Sequence, residues 1–366
     1  MSKGRIVSTM PEKEPLVSII IINFKDKEKL KLSIESILNS KYKNYEIIVV
    51  DVFTPEIEKW ITETFSSNKI RVIHFGKDIG AAHSHNVGAE KANKNSKYLV
   101  FMDNDVIVDE NWLNILVNLM EKNPEIGIAQ PKILLYQNIR KMDHCGLALD
   151  YLGTWYTTYG EIASKFNNTR EVFAATSATL ITRKDLYFKV GGFDPDYFIY
   201  DDDTDYSWRV RLMGYKVVME PKAITIHMGG LNKGLSYMRL YHGYKNRISN
   251  LIKNLEGKNM VLQVPITLMY GFVLIIGLFA FLRFTEAKAY LMATLYVLRN
   301  FKKIVRKRVK IQYMRKISDN VLYSKNLLRK DIRATIMMFK TLTLEYLLQN
   351  PKYRRILLRI MKKGKN

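Results

Sequence analysis

Residues 16–23, Leu16-Val17-Ser18-Ile19-Ile20-Ile21-Ile22-Asn23, are an almost unbroken apolar, β-branched run, the pattern of a strand covered on both faces of a parallel sheet. A helix is predicted next, because Leu30, Leu32, Ile34, Ile37 and Leu38 share one helical face before Asn39-Ser40 ends it. Residues 45–51 form a second buried run that ends in an acid, Asp51. A helical stretch over 55–65, a short strand over 70–75 and a helix-like segment after Gly80-Ala81-Ala82 lead to a third run, Tyr98-Leu99-Val100-Phe101-Met102. That run stops abruptly at Asp103-Asn104-Asp105. The alternation predicts a doubly wound α/β sheet with right-handed crossovers and carboxyl edges at Asn23, Asp51 and 103–105. Open sheets of this kind take their ligands at such edges.

After an amphipathic helix over 113–120 the pattern loosens through 128–135 and 143–159. Residues 172–182 read as a strand of small and β-branched residues, and Gly191-Gly192-Phe193-Asp194-Pro195 reads as a turn. Asp201, Asp202, Asp203 and Asp205 would repel one another inside a helix, but a helix amino terminus favours acids. They are therefore placed at the start of a helix that runs to Gly214, with Trp208 as a core anchor. Short strands follow over 216–219 and 223–227, the second closing at His227. His83 and His85 are assigned to a loop.

Charge divides the chain. The 366 residues carry a net charge of +23, with 47% apolar and 11% aromatic residues, enough for a sizeable core. Residues 259–366 hold 23 Lys and Arg against four acids, so nearly all the excess lies there. The division predicts a leader (1–15), a globular domain (16–258) and a basic helical tail (259–366). Within the tail, residues 260–282 carry no charge, and as a helix would be ~34 Å long against a hydrocarbon core of ~30 Å. A single crossing would carry the basic tail outside, against the positive-inside rule, so a re-entrant, hairpin or in-plane segment is expected. Bases and apolar residues interleave over 301–310, which suits an anionic membrane surface better than nucleic acid. The lone Cys145 excludes an intrachain disulfide, and residues 1–15 lack the apolar core of a signal peptide. Both point to a reducing, cytosolic compartment.

Asp103 and Asp105 are close enough to repel unless a cation lies between them, which suggests a divalent ion on hard oxygen ligands, although the same pair also suits a solvated turn. No G-x-G-x-x-G follows the first strand and no Walker lysine motif is present, so a dinucleotide fold and a P-loop are disfavoured.

Taken in order, 17–23, 47–51, Asp103-Asn104-Asp105, Val190-Gly191-Gly192-Phe193-Asp194, Asp202-Asp203-Thr204-Asp205 with Arg209, and 221–227 ending in His227 resemble the family 2 inverting glycosyltransferases. The likeness is to the rhamnosyl- and galactofuranosyl-transferase-like branch, and it covers about two-thirds of the chain. It implies a GT-A fold, a Rossmann-like doubly wound mixed sheet, followed here by a membrane-associated helical region. It also implies that Asp51 binds the base or ribose of a nucleotide sugar, that Asp103 contacts ribose or metal, and that Asp105 and His227 hold Mg2+ or Mn2+. Asp203 would be the general base within the cluster formed with Asp202 and Asp205. Asn23, Asp78, Asn86 and Arg209 would complete the donor site. The expected reaction moves a sugar from a UDP-, dTDP- or GDP-linked donor to a lipid-linked, polyprenyl-type acceptor or a surface glycan, at the cytoplasmic face of the cell membrane. Two departures stand out: Asp51 is followed by Val52-Phe53-Thr54-Pro55 in place of the family's Asn-x-Ser-x-Asp, and Asp78 replaces an Asn. The altered loop motivates an alternative, a non-catalytic membrane scaffold that binds nucleotide sugars or glycans.

Overall fold

The computed structural model describes residues 14–229 and 236–340. Four parallel strands, β1 (Val17–Phe24), β2 (Tyr45–Val52), β3 (Ile70–Phe75) and β4 (Tyr98–Asp103), lie side by side in the order β4-β1-β2-β3. They are joined by helices α1 (Lys27–Leu38), α2 (Ile57–Thr64) and α3 (Ala81–Glu90). The apolar runs are continuous because both faces of these strands are covered. Ile19, Ile21, Ile47, Val49, Val100 and Met102 pack with α1 and with Trp112 and Leu116 of α4 (Trp112–Lys122). Ile20, Ile48, Val50, Leu99 and Phe101 face the opposite layer.

The rest of the chain makes the sheet mixed. After β5 (Val106–Val108) and β6 (Ile126–Leu135) come β7 (Asn138–Met142), β8 (Gly146–Leu149), β9 (Trp155–Thr157), β10 (Arg170–Glu171) and β11 (Thr179–Arg183). Helices α5 (Lys184–Lys189) and α6 (Asp202–Leu212) then lead to β12 (Lys216–His227). The sheet order is β10-β12-β6-β11-β4-β1-β2-β3, with β5 on β12 and β7 on β6. β11 runs antiparallel to both β4 and β6.

Three expectations are corrected. Of the run 172–182, only the part from Thr179 is an extended strand, because the preceding backbone is bonded piecemeal: Val172 N donates to Val217 O and Phe173 N to Leu147 O, Arg211 donates to Val172 O and Phe173 O, and Ala175 N donates to Ser207 Oγ. The two short strands over 216–227 are one strand with an irregularity between Glu220 and Ile224. His83 and His85 lie in α3, where His85 is buried between Phe101 and Phe193, at 5.2 and 5.0 Å between ring centroids. Burial pushes its imidazole down to about 3, so it is a neutral core residue. Trp208 is fully buried, as expected.

Helices α7 (Tyr237–Asn254), α8 (Gly257–Ala280), α9 (Phe284–Arg299), α10 (Phe301–Met314) and α11 (Asp319–Ser324) follow. The charge division at Lys258 falls in the first turn of α8, whereas α7 already packs against α9 and α10. Most of the leader and the basic end from residue 341 lie outside the described residues.

Candidate active site

The parallel register sets three strand ends side by side. Asn23 pairs with Asp51 across β1 and β2, and Ile22 pairs with Asp103 across β1 and β4. Beyond Asp103 the chain turns into β5, whose Val106 pairs with His227 at the end of β12. Asp105 and His227 are thereby neighbours, with His227 Nε2 3.0 Å from Asp105 Oδ1. One ligand atom each from Asp103, Asp105 and His227 falls within 4.8 Å of the others. A Cβ on Gly229 would lie 2.4 Å from Asp105 Oδ2, so glycine keeps this corner open. Two carboxylates, one imidazole and the space beside them fit a divalent cation.

The sequence did not single out the residues that brace this cluster. Asp143 Oδ2 is 2.5 Å from His227 Nδ1. Asp143 follows Met142, which pairs with Leu134 one strand away from β12, so sheet pairing alone makes it a neighbour. A carboxylate behind a histidine in this way orients the ring and raises its basicity as a ligand. Burial disfavours charge on His227, but its bonds to Asp105 and Asp143 and the charge of Asp103 prevail, pushing it up to about 10. Lys29 Nζ, from α1, lies 3.6 Å from Asp105 Oδ2. Asn104, the middle residue of the acid pair, donates to Asn23 Oδ1 at 2.5 Å.

Asp51 and Asn23 are both buried at the ends of their strands. Asp51 Oδ1 accepts from Asn23 Nδ2 at 2.6 Å, while Oδ2 accepts from Thr54 N at 3.1 Å and lies 2.8 Å from His74 Nδ1. With the Asn104 bond, this makes a network that ties the acid turn to the ends of β1, β2 and β3.

The acid cluster stands opposite. Asp103 N donates to Ala178 O, and Ser177 N donates to Asp203 Oδ2 at 3.2 Å, so two adjacent residues bridge the halves. Asp203 is half-buried at the start of α6. Burial and the charge of Asp201 outweigh the Ser177 and Thr204 N–H groups and push it up to about 7. Asp202 is buried, its Oδ2 has no hydrogen-bond partner among the described residues, and burial together with Asp203 holds it well above the carboxylate range. An acid held well above its ordinary range thus sits beside one poised near neutrality.

Four further expected site residues are bonded to protein groups. Asp205 is fully buried and held by Arg209 at 2.9 Å, Lys253 at 2.9 Å and Asn254 at 3.0 Å. Arg209 also donates to Val190 O and Gly192 O, so its buried guanidinium is held by protein groups. Asn86 Oδ1 accepts from Tyr187 Oη and Phe193 N, and Nδ2 donates to Phe193 O, which locks the glycine turn. Asp78 accepts from Gly80 N at 2.9 Å.

The loop that delivers the acids is strained, with Phe198, Tyr200 and Asp201 all at positive φ (64°, 67° and 56°). Each such residue costs ~1–3 kcal/mol and persists only where its surroundings hold it. Helix α7 supplies that hold. Asn246 Nδ2 reaches the carbonyls of Tyr197, Ile199 and Tyr200 at 3.1, 3.0 and 2.7 Å, and Asn250 Nδ2 reaches Asp201 O at 3.2 Å. On the other side Gly80 packs so closely that a Cβ there would lie 2.6 Å from the Phe198 ring.

Residues 18–188 match the family model described as Glycosyl transferase family 2. The chain is 26% identical over 225 residues to the O-antigen biosynthesis protein RfbC of Myxococcus xanthus, covering 58% of this chain and 17% of that protein. It is 29% identical over 108 residues to the UDP-Glc:alpha-D-GlcNAc-diphosphoundecaprenol beta-1,3-glucosyltransferase WfgD of Escherichia coli, covering 30% of this chain and 42% of that one. It thus spans less than half the length of either relative. The mannosyltransferase PcManGT from Pyrobaculum calidifontis, solved in complex with GDP-Man and Mn2+, superposes with a TM-score of 0.51 at 14% identity, over 81% of this chain and 90% of that one.

Proposed function

With residues 18–188 a glycosyl transferase family 2 domain on a mixed α/β sheet, we propose that the chain transfers a sugar from a nucleoside diphosphate donor to an acceptor hydroxyl, with inversion, in envelope glycan synthesis. The observation that carries this is the bridge through Ser177 and Ala178, which sets a carboxylate poised near neutrality across from the Asp103, Asp105 and His227 cluster. Asp203 accepts the proton of the acceptor hydroxyl. The acceptor oxygen bonds the anomeric carbon as the bond to the diphosphate breaks, and that electron pair leaves with the nucleoside diphosphate. Mg2+ or Mn2+ held by Asp103, Asp105 and His227 would neutralise charge on that leaving group as a Lewis acid. Asp202, buried beside Asp203, favours its neutral form, and the Asp51 network keeps the donor edge in shape.

The relatives act in O-antigen synthesis and on a diphosphoundecaprenol-linked sugar, and α8 has a mean hydropathy of 2.1 over its most apolar window, of which only 22% is buried. Both observations support a lipid-linked acceptor met at a membrane surface. The purified chain, given UDP-, dTDP- and GDP-sugars, Mn2+ and a polyprenyl diphosphate sugar, should release nucleoside diphosphate and stop when the metal is chelated. Donor binding with no turnover on any acceptor would favour the scaffold alternative instead.

Two substitutions test the metal-binding corner. Asp143→Asn leaves His227 without its rear carboxylate, so the Mn2+ concentration for half-activation should rise about 10–100-fold with the unfolding midpoint nearly unchanged. Gly229→Ala, whose methyl would crowd Asp105, should weaken Mn2+ binding while leaving metal-free nucleotide binding intact. Unchanged Mn2+ titrations for both variants would remove the metal from this corner.

A further inference from the structure

We propose that α8 and α9 form a re-entrant hairpin that sinks into one leaflet of an anionic bilayer and leaves by the side it entered. This rests on the membrane reading above and specifies its geometry. Along α8, Val261, Leu262, Met269, Phe272, Val273 and Ile276 are 54–63% exposed at helical spacing on one face. Leu268, Leu274, Ile275 and Leu278, on the other face, pack with α7 and α9. The turn between the two helices is more exposed still, with Phe281 at 75%, Leu282 at 74% and Phe284 at 55%. The core helix of a soluble domain would bury such a stripe.

The chain on either side of the hairpin is fixed to the same body. Ahead of it, Asn246, Asn250 and Lys253 of α7 grip the loop that delivers the acid cluster and Asp194. Behind it, Lys303 and Lys307 of α10 reach Asp196 at 2.7 and 2.6 Å, Gln312 donates to Lys253 O at 2.9 Å, and Lys316 N donates to Leu212 O at the end of α6. A segment with both flanks anchored beside the active site cannot cross a bilayer once. Length agrees: α8 has 24 residues and α7 has 18. Antiparallel from their two-residue connection, α8 overhangs by ~9 Å, less than a leaflet of ~15 Å.

Lipid is favoured over a second copy by charge. Residues 259–366 carry 23 bases and four acids, so self-association would bring like charges together, whereas anionic headgroups would meet them.

The test uses the full chain, whose only native thiol, Cys145, is buried and pushed up to about 12, hence unreactive. Phe272→Cys and Leu282→Cys variants are labelled with an environment-sensitive dye and mixed with preformed phosphatidylglycerol/phosphatidylcholine vesicles. The expected result is flotation, quenching of both dyes by acyl-chain nitroxides, and no quenching by an impermeant quencher sealed inside the vesicles. Flotation with quenching from the lumen would mean a span, and flotation without acyl-chain quenching would mean surface adsorption. Either overturns the hairpin while sparing the membrane reading. No flotation, including with a soluble dimer, overturns both. The double variant Phe281→Glu/Leu282→Glu should weaken vesicle partition at least about tenfold with nucleoside diphosphate release in detergent unchanged, and unaltered partition would also overturn the hairpin.

Discussion

Asp203→Asn is expected to lower turnover about 10²–10⁴-fold, the range supplied by a positioned general base, with donor KM and the unfolding midpoint close to those of the parent chain. The isosteric amide keeps the Thr204 N–H bond to Oδ1, so α6 should start in the same place. What it loses is the capacity to take a proton, together with the bond that Oδ2 accepts from Ser177 N, since an amide NH2 cannot accept. The parent chain should carry a second signature of the same residue. A base must be ionised to act, and burial with the neighbouring Asp201 pushes Asp203 up to about 7, so kcat should rise with pH through that value and level off above it. Asp201→Asn, which removes the like charge, should move the acid limb towards lower pH. Asp203→Asn with turnover near that of the parent, or an acid limb that Asp201→Asn leaves in place, would take the base role away from Asp203.

Much of this site was legible in the sequence, for a physical reason. Strands covered on both faces must be apolar throughout, so an acid at their end is conspicuous: Asn23 and Asp51 stand in register, and Asp103 one residue off, where three such runs stop. His227 and the acid cluster came from the family resemblance and their order along the chain. The resemblance also drew in Asp205 and Arg209, because an ion pair four residues apart on α6 looks the same in sequence whether it faces a ligand or the protein's interior. Asp143 gave no local signal, since its closeness to His227 follows from β7 and β12 both flanking β6. Residues 138–178 contain only short paired segments and loops bonded by side chains, and neither leaves a periodic trace.

The polar face of α7 was also illegible. His242, Asn246, Asn250 and Asn254 recur every fourth residue, as they would on a solvated helix, yet all four are buried. Their partners are mostly backbone carbonyls of 197–201, which no sequence pattern announces. The helix therefore meets the acid cluster both through the loop it clamps and through Asp205 in the first turn of α6.

Lys253→Met should destabilise the fold by about 3–5 kcal/mol, the cost of leaving buried charge uncompensated, and should lower kcat more than donor KM. Lys253 is 1% exposed, and its ammonium lies 2.7 Å from Asp194 Oδ2 and 2.9 Å from Asp205 Oδ1. These two acids flank the strained loop and the first turn of α6, so repulsion between them would displace Asp203 before it unfolded the sheet. Lys307 still faces Asp194, and Arg209 and Asn254 still face Asp205, which places the expected cost at the low end of that range. Burial works against the charge of Asp194, but Lys253 and Lys307 outweigh it and hold the carboxyl below its ordinary value of 3.8. That contribution is complete above 3.8 and is lost as pH falls below it, so Lys253→Met should show a shallower loss of stability in acid. The pairing itself is measured by a double-mutant cycle with Asp205→Asn, in which neutralising the acid should recover part of the loss. Urea midpoints that add to within about 0.5 kcal/mol in that cycle would show that Lys253 and Asp205 do not support each other, and the link from α7 to the base would then rest on the asparagines alone.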